Sequence, residues 1–423
     1  MQSKVQVDNR GRTRAIQTKD SKGDQLQVRN GLRRGDRTVE KRGADNQRIV
    51  STGRGRGFTE RSYSVNNKYH ENVKYVQRTY VSENVTNVYA YRTAVWNGDP
   101  YYVYAPTYYY RPAYYEWAAD PWAVPVQYTW GWQDPWYGYY GGYFTPAPVY
   151  PTASLWLTDY LLAQSLQAAY AAQAAAAAAP VDAGYADQGG SADQGGYADQ
   201  GGGDQYAQQG SNDQYAGDQG NNGQAAAAPK PKAAPAPVAL SPEVKQMIAD
   251  EVAAEIKKTQ AAATQPDGGG VAWGSSDKPP VLDPTLQVFV VSDTLTVSTA
   301  DGNECDLTAG DVLYRIDDDA DPDNTLGMKV TASKGNDCAV SSKPRVQVAD
   351  LQEMHNHFRE QLDGGLKTLA AGGKGLPPAP DTATVQGEVA PPPADTDATA
   401  EVNNVHDEGD SVDKDVQQAA AQQ

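Results

Sequence analysis

Phenylalanine is nearly absent from this chain, with 4 residues against 27 tyrosines and 8 tryptophans. Histidine is as scarce, at 4, and cysteine numbers 2. Each shortage excludes something. So few histidines and cysteines form no cluster at metal-ligand spacing, and they leave little acid–base machinery. No Ser-His-Asp arrangement sits in a plausible scaffold, and no glycine motif of the phosphate-cradling kind occurs. No uninterrupted apolar run reaches the roughly 18 residues of a membrane-spanning helix. Only 39% of the 423 residues are hydrophobic. Long stretches lack the Leu, Ile, Val and Phe needed to offset the entropy of ordering a chain, which predicts roughly a third of it in a firm core.

What the chain has is charge, unevenly placed. The net charge is -17, yet residues 1–70 carry 17 Lys and Arg against 7 Asp and Glu. A basic head on an acidic body attracts an anionic partner or contacts its own tail. The opening Met1-Gln2-Ser3-Lys4-Val5-Gln6 has no apolar core behind its charge, so no signal peptide is visible. The composition and the cysteine pair nevertheless favour a periplasmic or extracellular location. Cys305 and Cys338 share one candidate domain and are expected to form a disulfide in an oxidising compartment.

Composition divides the chain. Residues 1–71 form a basic arm, either short stacked strands separated by turns about every ten residues or a disordered segment. Gln25-Leu26-Gln27-Val28-Arg29 and Arg48-Ile49-Val50-Ser51-Thr52 are its strand-like runs. The run Gly53-Arg54-Gly55-Arg56-Gly57-Phe58 suits phosphate tracking. Acidic polysaccharide or the protein's own tail would attract it equally, and nucleic acid is the lesser reading. Residues 72–153 contain strands at 72–81 and 85–91, then a Tyr/Trp/Pro-rich region. Prolines there forbid a long helix or a central strand. Its aromatic rings pack on the chain itself, or they stack on sugars through Trp117, Trp122, Trp130, Trp132 and Trp136.

Residues 154–179 are an alanine-rich helix stopped by Pro180. Residues 180–240 are a low-complexity linker of Tyr-Ala-Asp-Gln-Gly-Gly units. Residues 241–260 form an amphipathic helix capped by Ser241. Its stripe of Val244, Met247, Ile248, Val252 and Ile256 predicts self-association through residues 244–256, as a short coiled coil, or docking on the C-terminal domain. Residues 261–284 are a second linker, and residues 370–423 an acidic disordered tail.

Residues 285–369 read as the one autonomous domain, β-rich with a closing helix. Short strands begin at Leu286, Thr294, Glu304, Val312, Leu326 and Val346. The Asp317, Asp318, Asp319, Asp321 and Asp323 loop offers alternate carboxylates to calcium, though mutual repulsion in a solvated turn is the plainer account. His355 and His357, two apart on a helix, point in different directions and do not meet one ion easily. The step Thr308-Ala309-Gly310-Asp311-Val312-Leu313 resembles bacterial SH3-like barrels over residues 286–349. That resemblance implies cell-wall peptide binding or protein contacts, without mapping any ligand residue. The whole chain resembles uncharacterised secreted bacterial proteins with Tyr/Trp/Gly-rich middles.

The expected fold is therefore a mostly disordered, low-complexity chain with a small all-β, SH3-like C-terminal domain and flanking α-helices. The expected function is a non-enzymatic cell-envelope or extracellular structural or interaction protein, with no cofactor. The alternative is a carbohydrate- or peptidoglycan-binding protein using the aromatic region or the barrel, with cell wall or polysaccharide as partner.

Overall fold

The ten-residue rhythm of turns in the basic head is the period of an antiparallel meander. The computed structural model describes residues 3–7, 13–30, 37–43, 47–65, 73–82, 85–130, 134–178, 239–264, 278–299, 301–334, 338–373 and 375–421. Nine strands lie side by side in chain order: β1 (Lys4–Val7), β2 (Thr13–Lys19), β3 (Gln25–Asn30), β4 (Arg37–Arg42), β5 (Arg48–Gly53), β6 (Arg56–Val65), β7 (Val73–Ser82), β8 (Val85–Trp96) and β9 (Asp99–Ala105). Alternation puts successive side chains on opposite faces. One face gathers Ile16, Val28 and Val39, opposite one another in β2, β3 and β4 and all buried.

The aromatic region follows as β10 (Tyr108–Tyr110), α1 (Pro112–Ala119), β11 (Pro121–Val126), α2 (Pro135–Tyr140), β12 (Tyr150–Thr152) and the long α3 (Ala153–Ala178). Prolines open α1 and α2, where a missing N–H costs nothing. Then comes α4 (Pro242–Ala263), with the Ser241 Oγ accepting from Val244 N at 3.3 Å. A second sheet uses β13 (Val288–Val290), β14 (Leu295–Thr299), β15 (Glu304–Leu307), β16 (Val312–Arg315), β17 (Thr325–Ala332) and β18 (Pro344–Gln347). The chain ends with α5 (Val348–Ala371), the short β19 (Thr384–Gln386) paired to β10, and α6 (Ala398–Ala421).

Helix α5 ties these layers together. Val348, Leu351 and Met354 enter the core of the second sheet, with Phe289, Leu313 and Met328. One turn on, Phe358, Leu362, Leu366 and Leu369 enter the aromatic core with Tyr114, Trp156 and Ile248. The helix continues unbroken through Gly364-Gly365. A Cβ on Gly365 would lie 2.5 Å from the Leu157 side chain, so glycine there lets α5 approach α3.

Several expectations are corrected. The chain is not mostly disordered: strands and helices are spread through its described length, within one compact unit that includes the head and the tail. The C-terminal sheet runs β13-β16-β17-β18-β14-β15 and leaves β13 and β15 as separate edges, so it is not a closed SH3-like barrel. No coiled coil is evident among the described residues. The α4 stripe of Val244, Ile248, Val252 and Ile256 is buried in the aromatic core against α1 and α3. The acidic tail is ordered too. Its Ala398, Val402 and Val405 cover the Ile16–Val28–Val39 stripe of the first sheet. The linker reading of residues 180–240 falls mainly outside the described residues, as does much of 261–284.

Tyrosine takes the place of phenylalanine because the core hydroxyls have acceptors inside the chain. Tyr143 Oη donates to the Gly310 carbonyl at 2.7 Å, and Tyr150 Oη to the Asp159 carboxylate at 2.7 Å. Asp159 is fully buried, and Lys245 Nζ lies 2.6 Å from its other oxygen. A buried carboxylate is tolerated when it is paired and hydrogen-bonded in this way. Among the described residues no helix is long and apolar enough to cross a membrane.

Candidate binding face on the N-terminal sheet

The two faces of the meander meet different fates. One is sealed by α6, whose carboxylates ring the apolar seam. Arg37 pairs with Asp413 at 2.8 Å and also with Asp410; Lys41 pairs with Glu408 at 2.9 Å and Arg61 with Glu401 at 2.8 Å. Thus the basic head contacts its own tail. The Arg-Gly run belongs to this contact: Arg54 pairs with Asp407, and the Gly55 N–H donates to Asn403 Oδ1 at 2.7 Å. Helix α6 comes so close that a Cβ on Gly409 would lie 2.6 Å from Val39 Cγ2.

The opposite face is half covered. A single row crosses the sheet as Lys19, Gln25, Arg42, Arg48, Glu60 and Arg78, each opposite the next. At its far end the row is buried beneath α5. Arg78 is only 2% exposed and lies between Glu60 and Glu353, each 2.6 Å away. Its guanidinium also stands over the Phe58 and Tyr91 rings, at 4.7 and 4.6 Å. Burial works against that charge, but Glu353, Glu60 and the neighbouring tyrosines outweigh it and hold Arg78 firmly protonated.

At the near end the face is open. Lys4, Gln17, Lys19, Gln25 and Arg42 are exposed and Gln27 is half-buried. Together they line a groove of about 330 Å³. Glu40 forms its floor. Burial tends to raise that carboxyl, while Arg48 and Arg42 outweigh burial and hold it below the usual carboxylate range. The face therefore offers ammonium, guanidinium and amide groups over one neutralised carboxylate. Chemically it can pair anions and exchange hydrogen bonds with hydroxyls.

The other sequence candidates lie elsewhere. Trp122, Trp130 and Trp136 are buried, and Trp117 is half-buried. Their rings meet rings of the chain: Trp130 stacks on Trp156 at 5.7 Å, Trp117 on Trp122 at 5.9 Å and Trp136 on Phe144 at 6.3 Å. No flat tryptophan platform is presented to a sugar by these four; Trp132 lies outside the described residues. Cys305 and Cys338 are bonded, with Cα atoms 5.0 Å apart, joining β15 to the segment after β17.

The aspartate loop uses its carboxylates internally. Asp317 accepts from Gly327 N at 2.9 Å, and Asp321 from Thr325 N at 2.8 Å, while Arg345 bridges both. His355 Nε2 lies 3.2 Å from Glu255 Oε1 on α4, both buried, whereas His357 turns toward Glu360 and Gln361. Glu251, one helical turn from Glu255, is pushed up to about 7 by burial.

Among the groove residues, the lysines and glutamines are the ones a search for arginine passes over. Their signal is the alternation in Gln25-Leu26-Gln27-Val28-Arg29, where apolar residues mark one face and amides with cations the other. No family model, curated protein or solved structure matches the chain.

Proposed function

We propose that this chain is a non-enzymatic structural or interaction protein of the cell envelope or extracellular space, attached to an anionic surface polymer through the open half of its N-terminal sheet. One observation carries this reading: cations and amides from β1, β2, β3 and β4 converge on an uncovered face around one groove. The Cys305–Cys338 bond supports an oxidising compartment. The glycan-binding alternative thereby moves from Trp117, Trp122, Trp130 and Trp136, whose rings meet other rings of the chain, to the sheet.

The test is retention of the full chain on immobilised anionic and neutral polymers at low and high salt. Retention on anionic polymers only, weakened by salt and by Lys4→Gln with Lys19→Gln, supports the reading. Equal retention on neutral polymers, or none on any, contradicts it.

A further inference from the structure

We infer that the groove on β1, β2, β3 and β4 takes a linear polysaccharide bearing uronate carboxylates, a step that rests on the polymer-binding reading above. The argument begins with what the groove mixes. Lys4, Lys19 and Arg42 supply positive charge, but Gln17, Gln25 and Gln27 stand between them on the same face. A phosphate or sulfate chain presents acceptors only, so a site built for it gains nothing from the carbonyl half of an amide. A sugar hydroxyl both donates and accepts, and the glutamine amide matches both. Glu40 in the floor points the same way. Its carboxylate, held by Arg42 and Arg48, keeps acceptor lone pairs for a hydroxyl.

Spacing adds to this. Two rows, Lys4–Gln17–Gln27–Glu40 and Lys19–Gln25–Arg42, run across the strands, so their side chains follow one another at the strand separation of about 4.8 Å. That step is comparable with the advance of one pyranose ring in an extended glycan. A chain lying across β1 to β4 meets Lys4, then Lys19 beside Gln17, then Gln25 beside Gln27, then Arg42 beside Glu40. Across β1 to β4 these rows hold no aromatic residue, so that stretch lacks the base-stacking platform of single-stranded nucleic-acid sites.

The experiment uses the full chain and four probes: polygalacturonate, the same polymer with its carboxyls reduced, polyphosphate and single-stranded DNA. The expected result is binding to polygalacturonate that falls at least about tenfold on carboxyl reduction. A comparable loss is expected in the Lys4→Gln/Lys19→Gln variant, with unchanged thermal melting. Gln17→Ala with Gln27→Ala should weaken polygalacturonate and leave the residual polyphosphate binding as it was. Polyphosphate or DNA binding as tightly as polygalacturonate overturns the uronate inference while leaving the anionic-polymer reading intact. Binding that survives carboxyl reduction also overturns it. Binding to no probe overturns both.

Discussion

Replacing Arg78 by methionine tests whether the head of the chain is held to α5 by its buried charge. Arg78 is 2% exposed and Glu60 is 3%, whereas Glu353 is 37% exposed. Losing the guanidinium thus leaves one carboxylate in solvent reach and one without it. Glu60 keeps Arg48, whose Nη1 is 3.3 Å away. Removing one partner of a buried pair costs about 3–5 kcal/mol, and the remaining Arg48 contact places this case near the lower figure. Loss of the ring contacts with Phe58 and Tyr91 adds about 1 kcal/mol. The expected destabilisation of Arg78→Met is therefore about 4 kcal/mol, read from urea unfolding. Adding Glu60→Gln removes the stranded charge, so the double variant should be more stable than Arg78→Met alone by about 2 kcal/mol. A single variant within about 1 kcal/mol of the wild type, or a double variant with purely additive losses, refutes this reasoning.

Three further outcomes follow from the packing. Glu251 rises from its ordinary 4.5 to about 7 through burial. Because the folded value lies above the unfolded one, the stability it contributes is complete below about pH 4.5 and is lost as pH rises through 7. Glu251→Gln should remove a pH-dependent loss of up to about 3 kcal/mol across that window, measured by urea titration at several pH values; an unchanged pH slope contradicts it. Gly409→Ala should lower the urea midpoint although alanine favours helices by about 1 kcal/mol, because its Cβ meets Val39 at 2.6 Å; a higher midpoint contradicts the close approach of α6. Reducing Cys305–Cys338 should cost roughly 4 kcal/mol and raise hydrogen exchange in β14 and β15 before the N-terminal sheet; uniform exchange contradicts that placement.

Local signals in the sequence located α3, α4 and α5, and missed α1, α2 and α6. Alanine to Pro180 marks α3, and Ser241-Pro242 marks the start of α4. Most strands of the second sheet lie near the apolar runs that suggested them. What stayed hidden is long-range. Each strand of the head carries only one to three apolar side chains, too few to prefer a folded reading until a cover is known. That cover is α6, at the other end of the chain. Val402, Val405, Val412 and Val416 keep helical spacing there, but they sit among acidic residues that read as a disordered tail. The aromatic region misled for a related reason. Tyrosine suggests a wetted surface, yet its hydroxyls here reach Asp159, Asp363 and backbone carbonyls inside the core. The groove was half legible: the alternation of Gln and Leu was visible, but which face α6 would take was not.

Hydrogen exchange of the full chain with and without polygalacturonate tests the account most directly. It predicts added protection confined to peptides of β1, β2, β3 and β4, with residues 112–152 unchanged. Protection centred on the tryptophans of 112–152, or no change anywhere, contradicts it.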